Sequence, residues 1–267
     1  MNEPTPHRLV IKISKGSLTF AFTATDGGAM PIRYERYAVK SGISMAANIR
    51  EAVKAPFLTS TTFSKTLVMV DSPVLLIPID YYDEMSASDM YAHAYPGVKG
   101  AHVFPTVVNN LSAVALSAIA KDLRSVITDK FPSVSFCCSS LPVWHHLHQR
   151  SFSSQRNKLF GYFHDKKLEI FGFQQNRFRF FNTFDGVHTQ DAVYFLLYVW
   201  KQLGMDAEKD ELHLAGEIGN REHLLNELHK YLQRAYAINP TGDFNRAPAT
   251  QIEGMEYDLM TLFVKGR

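Results

Sequence analysis

From residue 158 to residue 220 the hydrophobic period runs at two, changes to 3.6 and returns to two, a pattern that requires strands, then a helix, then a further strand. Residues 159–163 and 167–173 are rich in aromatic and β-branched side chains, and the polar His164-Asp165-Lys166 between them is short enough to be a hairpin turn. A second turn at Gln174-Gln175-Asn176 leads into residues 177–184, where Phe178 and Phe180 alternate with Arg177 and Arg179. Thr189 is placed to cap a helix with Ala192, Phe195, Leu196, Val199, Trp200 and Leu203 on one stripe, and Gly204 ends it. Residues 211–215 then form a short strand that stops at Gly216. A crossover through a helix suits a strand parallel to one of the first three.

The same order begins near the N-terminus. Residues 9–14 form a strand, Lys15-Gly16 a tight turn, and residues 17–24 a strand with Leu18, Phe20 and Phe22 on one face. Asp26-Gly27-Gly28 makes the second turn and residues 31–39 the third strand, followed by a helix over 44–54 and a strand over 67–70. Leu9 matches Leu159 and Leu18 matches Leu168 at one constant offset, so two lobes of the same topology are expected although identities are few.

Between the copies, residues 74–79 read as a strand, 83–94 as a helix, and Asn109-Asn110 as the turn of a hairpin. Ser117 is read as the cap of a helix carrying Ile119, Ala120, Leu123, Val126, Ile127 and Phe131, with a buried strand over 134–138 and a helix over 141–149 after it. Beyond the second copy, Asn220 caps a helix with Leu224, Leu225, Leu228, Tyr231, Leu232 and Ala235 on its stripe. Asn239-Pro240-Thr241-Gly242 breaks that helix, residues 243–253 read as loop, and 257–264 as a closing helix. The first lobe is thus drawn over residues 1–156 with an inserted subdomain at about 73–156, and the second over 157–267.

The chain has 267 residues, 46% of them apolar, enough to bury full cores without disulfides. A net charge of +2 with both signs scattered argues against a dedicated nucleic-acid binder. Residues 1–7 lack a signal pattern, and the longest apolar run, 192–200, falls short of the roughly 20 residues a membrane helix needs. A cytoplasmic protein without membrane insertion is expected. Cys137 and Cys138 are adjacent and read as small buried strand residues. His145 and His148 share a helical face at a spacing that can hold a metal, but no carboxylate or cysteine stands at ligand spacing, and a wet helix surface with Trp144 and Leu147 inward is the plainer reading. Eight phenylalanines between 160 and 184 exceed what one sheet face would bury, so either both faces are covered, with burial between the lobes the favoured reading, or an exposed patch is used for binding.

The doubled strand-strand-strand-helix-strand unit with an insertion after the first copy resembles the actin-like ATPase fold of actin, sugar kinases, heat-shock ATPases and pilus-assembly ATPase-like proteins. The whole chain is similar to an uncharacterised bacterial family with this fold, the hairpin of residues 11–22 and the closing Tyr257-Asp258-Leu259-Met260-Thr261-Leu262 carrying the likeness. The resemblance implies an α/β fold with mixed sheets, two ribonuclease H-like lobes of duplicated βββαβ topology, and no established activity. In active members of the superfamily an aspartate on the first strand holds hydrated magnesium and turn amides cradle phosphate. Lys12 stands at that position in the first lobe and Tyr162 in the second, while Gly16 and Ser17 keep part of an anion nest and Leu214-Ala215-Gly216-Glu217 keeps some likeness to the adenosine-side turn.

The resemblance therefore implies lost magnesium-nucleotide chemistry, with no catalytic residue, cofactor or metal, and a binding or scaffold role toward a protein or peptide partner. The oligomeric state is left open. The alternative is an enzyme, a kinase or ATPase using ATP and magnesium, with acids displaced to Asp71 or Asp165. The candidate contact residues are Lys15, Gly16, Ser17, His164, Asp165, Lys166, Gly216 and Glu217, expected to face an inter-lobe cleft. Their cations, imidazole and small residues suit an anionic or peptide ligand.

Overall fold

A computed structural model describes residues 7–23, 32–175, 177–186 and 188–265. The turn expected at Asp26-Gly27-Gly28 lies outside them. The chain divides into two compact units, Met1–Leu141 and Pro142–Arg267.

The first unit runs β1 (His7–Ile13), β2 (Ser17–Thr23), β3 (Ile32–Ala38), α1 (Met45–Ala52), α2 (Pro56–Thr59), β4 (Phe63–Val70), β5 (Leu75–Pro78), α3 (Ala87–Ala94), β6 (Ala101–Val108), β7 (Ala113–Ala120), α4 (Lys121–Lys130) and β8 (Val134–Cys138). Its main sheet has the order β3-β2-β1-β4-β8, with an antiparallel meander on one side of β1 and parallel strands on the other. Because side chains alternate along a strand, Leu9, Ile11 and Ile13 of β1 join Leu18, Phe20 and Phe22 of β2 on one face. There they meet Ile49 of α1, Leu58 of α2 and Leu123 and Ile127 of α4. Ser44 starts α1 by accepting the Ala47 N–H at 3.1 Å. Ser44→Ala is expected to cost about 1 kcal/mol, read as a shift of the urea midpoint.

The insertion forms a separate sheet, β5-β7-β6, with Ile77, Val114 and Leu116 packed against Tyr91 of α3. Two expectations change here. Residues 117–120 belong to β7, where Ser117 and Ile119 are buried and pair with β6, and the helix begins only at Lys121. The helix expected from residue 83 starts at Ala87, because the Asp83 carboxylate accepts the Met85 and Ser86 N–H groups, both at 3.2 Å, in a turn ahead of it.

The second unit runs α5 (Leu141–Ser151), β9 (Lys158–His164), β10 (Lys167–Gln174), β11 (Arg177–Asp185), α6 (Thr189–Gln202), β12 (Glu211–Gly216), α7 (Arg221–Leu228), β13 (Ala235–Ala237), α8 (Pro240–Asp243) and α9 (Tyr257–Lys265). Its sheet order, β11-β10-β9-β12-β13, repeats the first strand for strand and direction for direction. The expected duplication is therefore present and extends to a fifth strand. That strand, β13, occupies part of what the sequence presents as a continuation of α7. The helix stops at Leu228, and pairing with β12 takes up the backbone instead, the Ile238 N–H reaching the Leu214 carbonyl at 2.7 Å.

Both faces of this aromatic sheet are covered within the unit. Leu159, Leu168, Ile170, Leu212 and Leu214 lie under Leu196 and Val199 of α6 and Leu224 and Leu228 of α7. On the opposite face Trp144 of α5 packs edge-on against Phe171 and Phe181, with ring centroids 6.0 and 5.2 Å apart. The covering element is thus α5, which explains why the unit begins at residue 142 rather than at 157. The buried Lys158 ties α5 down, its Nζ donating to the Ser151 carbonyl at 2.8 Å and to Ser154 Oγ at 2.9 Å. Among the described residues no helix is long and apolar enough to cross a membrane.

Candidate functional site

In the first unit the sequence-predicted residues sit on the β1–β2 hairpin. The Ser14 N–H reaches the Ser17 carbonyl at 2.9 Å, leaving Lys15 and Gly16 exposed at the tip and Ser17 buried in the strand. A Cβ on Gly16 would meet nothing within 4 Å, and neither tip residue has positive φ, so nothing local demands a glycine there. Asp71 follows β4 beside this hairpin, its N–H bound to the Ile13 carbonyl at 2.9 Å. Lys12 is 2% exposed and points to the sheet face opposite α1 and α4.

In the second unit His164, Asp165, Lys166, Gly216 and Glu217 come together at the C-terminal ends of two adjacent parallel strands. Asp165 and Lys166 have φ of 45° and 64°, the primed two-residue turn that matches the strand twist. Gly216 pairs with Phe163 in register, and the Glu217 N–H binds the Phe163 carbonyl at 2.8 Å. With φ of 86°, Gly216 packs so tightly that a Cβ would lie 2.1 Å from that carbonyl oxygen.

Tyr162 is buried beside this edge and stacks on His164 with centroids 4.5 Å apart. His164 Nε2 lies 3.1 Å from Glu169 Oε1 on β10, and Trp144 Nε1 donates to Glu169 Oε2 at 3.4 Å. Burial, reinforced by the charges of Asp258, Glu169, Asp165 and Glu217, pushes the Tyr162 phenol far above its ordinary range. It stays neutral at every physiological pH. Glu169 lies on the second strand of the meander, away from the first-strand and turn positions that the resemblance singles out.

A second constellation was missed altogether. His146 and Arg150, one turn apart on α5, converge on Asp243 at the end of α8, with His146 Nε2 2.6 Å from Oδ2 and Arg150 on Oδ1. The Tyr257 hydroxyl of α9 donates to Oδ2 at 3.0 Å. Burial opposes ionisation of Asp243, but the His146 hydrogen bond, the positive charges of His146 and Arg150 and the Tyr257 hydroxyl outweigh it and hold the carboxyl below its usual range. Burial and the Asp243 charge push the Tyr257 phenol well above its own. A polar pocket of about 560 Å³ opens beside this network, lined by Arg150, His213, Tyr236, Asn239 and Asp243. The sequence signal extends only to α8 itself, since Asn239 accepts the Thr241 N–H and Pro240 stands at its first position, a helix start rather than a break.

The histidine cluster separates into unrelated roles. His145 is exposed, and His148 lies against Phe152 and Phe173 with centroids 4.9 and 5.7 Å away.

A solved structure from Bacteroides thetaiotaomicron VPI-5482, described as a protein with actin-like ATPase fold and unknown function, superposes with a TM-score of 0.81 at 23% identity. It covers 94% of this chain and 97% of its own. The PilM-PilN type IV pilus biogenesis complex aligns with a TM-score of 0.57 at 11% identity, over 98% of this chain and 97% of the other. The chain therefore has an actin-like ATPase fold. No curated protein sequence matches it. The family model described as "Protein of unknown function (DUF3822)" matches residues 1–234, and the chain belongs to that family.

Proposed function

We propose that this chain is a cytoplasmic binding or scaffold protein on an actin-like ATPase fold, working without magnesium-nucleotide chemistry and engaging a protein or peptide partner. The observation that carries the reading is the pair of side chains at the two first-strand positions. Lys12 and Tyr162, both buried, stand where the active superfamily uses acids for hydrated magnesium. Neither a lysine side chain nor a neutral phenol is an oxygen ligand of the kind that hydrated magnesium takes. The Gly216 position adds support, because packing against Phe163 accounts for that glycine without a nucleotide. The PilM structure is of a complex with PilN, which is the use of the fold adopted here.

Melting of the full chain with and without ATP and magnesium tests this. No change in Tm is expected, since a ligand stabilises a fold only by binding its native state. A saturable rise of several degrees would favour the second reading, an ATP-using enzyme with displaced acids. That reading places the displaced acids at Asp71 or Asp165. In that case Asp71→Asn or Asp165→Asn should abolish the magnesium-dependent part of the shift.

A further inference from the structure

The polar pocket beside Asp243 is not used by the reading above. It opens over β12 and β13 on the α5 face of the second sheet, beyond the meander that Trp144 and His148 cover. The register of the parallel strands sets its floor. Phe160, His213 and Tyr236 stand side by side on β9, β12 and β13, with successive ring centroids 5.3 and 5.5 Å apart. Exposure rises along this row: Phe160 is fully buried, His213 mostly so, and Tyr236 at the sheet edge is 43% exposed. Burial lowers the His213 imidazole below its ordinary range against the opposing Glu211 hydrogen bond, and the charges of Arg150 and Lys158 lower it further. The ring is therefore neutral at pH 7, and the floor is an uncharged aromatic surface.

The walls supply hydrogen-bond donors. Arg150 gives one nitrogen, Nη1, to Asp243, yet its side chain stays 33% exposed. Its Nε is buried without a partner and its Nη2 has none among the described residues, so the two N–H groups of Nη2 are the accessible part of the guanidinium. Asp243 does not claim the same space. Its side chain is 5% exposed, with Oδ1 taken by Arg150 and Oδ2 by His146 and Tyr257. It acts behind Arg150, fixing the guanidinium in one orientation. Asn239, also in the lining and exposed, accepts the Thr241 N–H through Oδ1, which leaves its amide N–H groups without a partner among the described residues. Gly242 keeps the cavity open, since a Cβ there would meet nothing within 4 Å. The volume of about 560 Å³ lies within the range of about 300–1,000 Å³ typical of small-molecule sites.

We propose that this pocket binds a small aromatic carboxylate of one or two fused rings, with the ring against His213 and Tyr236 and the carboxylate on Arg150 and Asn239. An aromatic floor selects a flat ring, and donors without acceptors at the wall select an anionic group over a neutral one. The site lies wholly within the second unit and uses neither Lys12 nor Tyr162. It stands whether or not the partner-binding reading is correct.

The test is titration calorimetry of the full chain with 2-naphthoate. One saturable site with a Kd below about 1 mM is expected, in line with the affinity per atom of small ligands. Uncharged 2-naphthamide, of the same shape, and cyclohexanecarboxylate, with the charge but no flat ring, should each bind about fivefold more weakly or worse. Gly242→Leu fills the cavity from a position with open space and should lower naphthoate affinity about tenfold or more, while Tyr236→Ala removes the exposed ring and should lower it about fivefold or more. Both variants should keep the wild-type circular dichroism. Arg150→Gln should erase the preference for naphthoate over naphthamide while leaving naphthamide affinity unchanged, a result that a purely structural role for Arg150 would not give. Absence of saturable binding, equal affinity for naphthoate and either of its analogues, or undiminished naphthoate binding by the folded Gly242→Leu and Tyr236→Ala variants would each overturn the proposal.

Discussion

Replacing Gly216 with alanine is expected to cost the second unit about 3 kcal/mol or more, or to prevent it from folding. Two independent constraints act at this position. The φ of 86° is a conformation that a residue with a Cβ adopts only under strain, and the Cβ would sit 2.1 Å from the Phe163 carbonyl oxygen and 2.9 Å from two carbons of the Tyr162 ring. The carbonyl cannot step aside cheaply, because it already accepts the Glu217 N–H and belongs to β9, which is paired on both edges. Gly16→Ala is the matched control. With open space around its Cβ position and no positive φ, it should move the urea midpoint by no more than the equivalent of about 0.5 kcal/mol. Equal midpoints for the two variants would show that the close approach at Gly216 is misread.

Removing the carboxylate at Asp243 is expected to cost about 3–5 kcal/mol, because Asp243→Ala strands a buried imidazole, a buried phenol and a guanidinium that were arranged around one charge. The pH dependence has a definite sign. A carboxyl whose folded value is depressed contributes its full stability above the unfolded value of about 3.9, and that stability is lost as pH falls through the folded value. The wild-type urea midpoint should therefore decline below about pH 4. In Asp243→Asn this part of the profile should flatten, with lower stability at neutral pH. A variant that keeps the full acid-side decline would assign it to other carboxylates.

The meanders were legible because their strands alternate cleanly and their turns carry turn chemistry, as at Asp165-Lys166. The identical strand order followed from the common offset of Leu9 with Leu159 and Leu18 with Leu168. Elements were misjudged where an apolar stripe runs through a change of structure. Ala235 continues the spacing of α7 yet belongs to β13, and Ile119 continues the spacing of α4 yet belongs to β7, since sheet pairing overrides a local period when an open edge lies within reach. At the candidate sites, Lys12 and Tyr162 could be read by position alone. The Asp243 network could not, because its members are 97 residues apart in sequence and are joined only by the packing of α5 on the far face of the second sheet. The same packing accounts for the crowded phenylalanines, whose cover was sought between lobes and is supplied by Trp144.

That α5 precedes every element it covers has a consequence for synthesis. At about 5–20 residues per second on the ribosome, the 97 residues separating His146 from Asp243 take roughly 5–20 s to emerge. Throughout that interval Val143, Trp144 and Leu147, all fully buried in the folded chain, have no finished second sheet to lie against. The vulnerable species in the cell is thus a nascent chain that ends between β9 and α8, and a chaperone that recognises short apolar segments would find its binding site at residues 141–151.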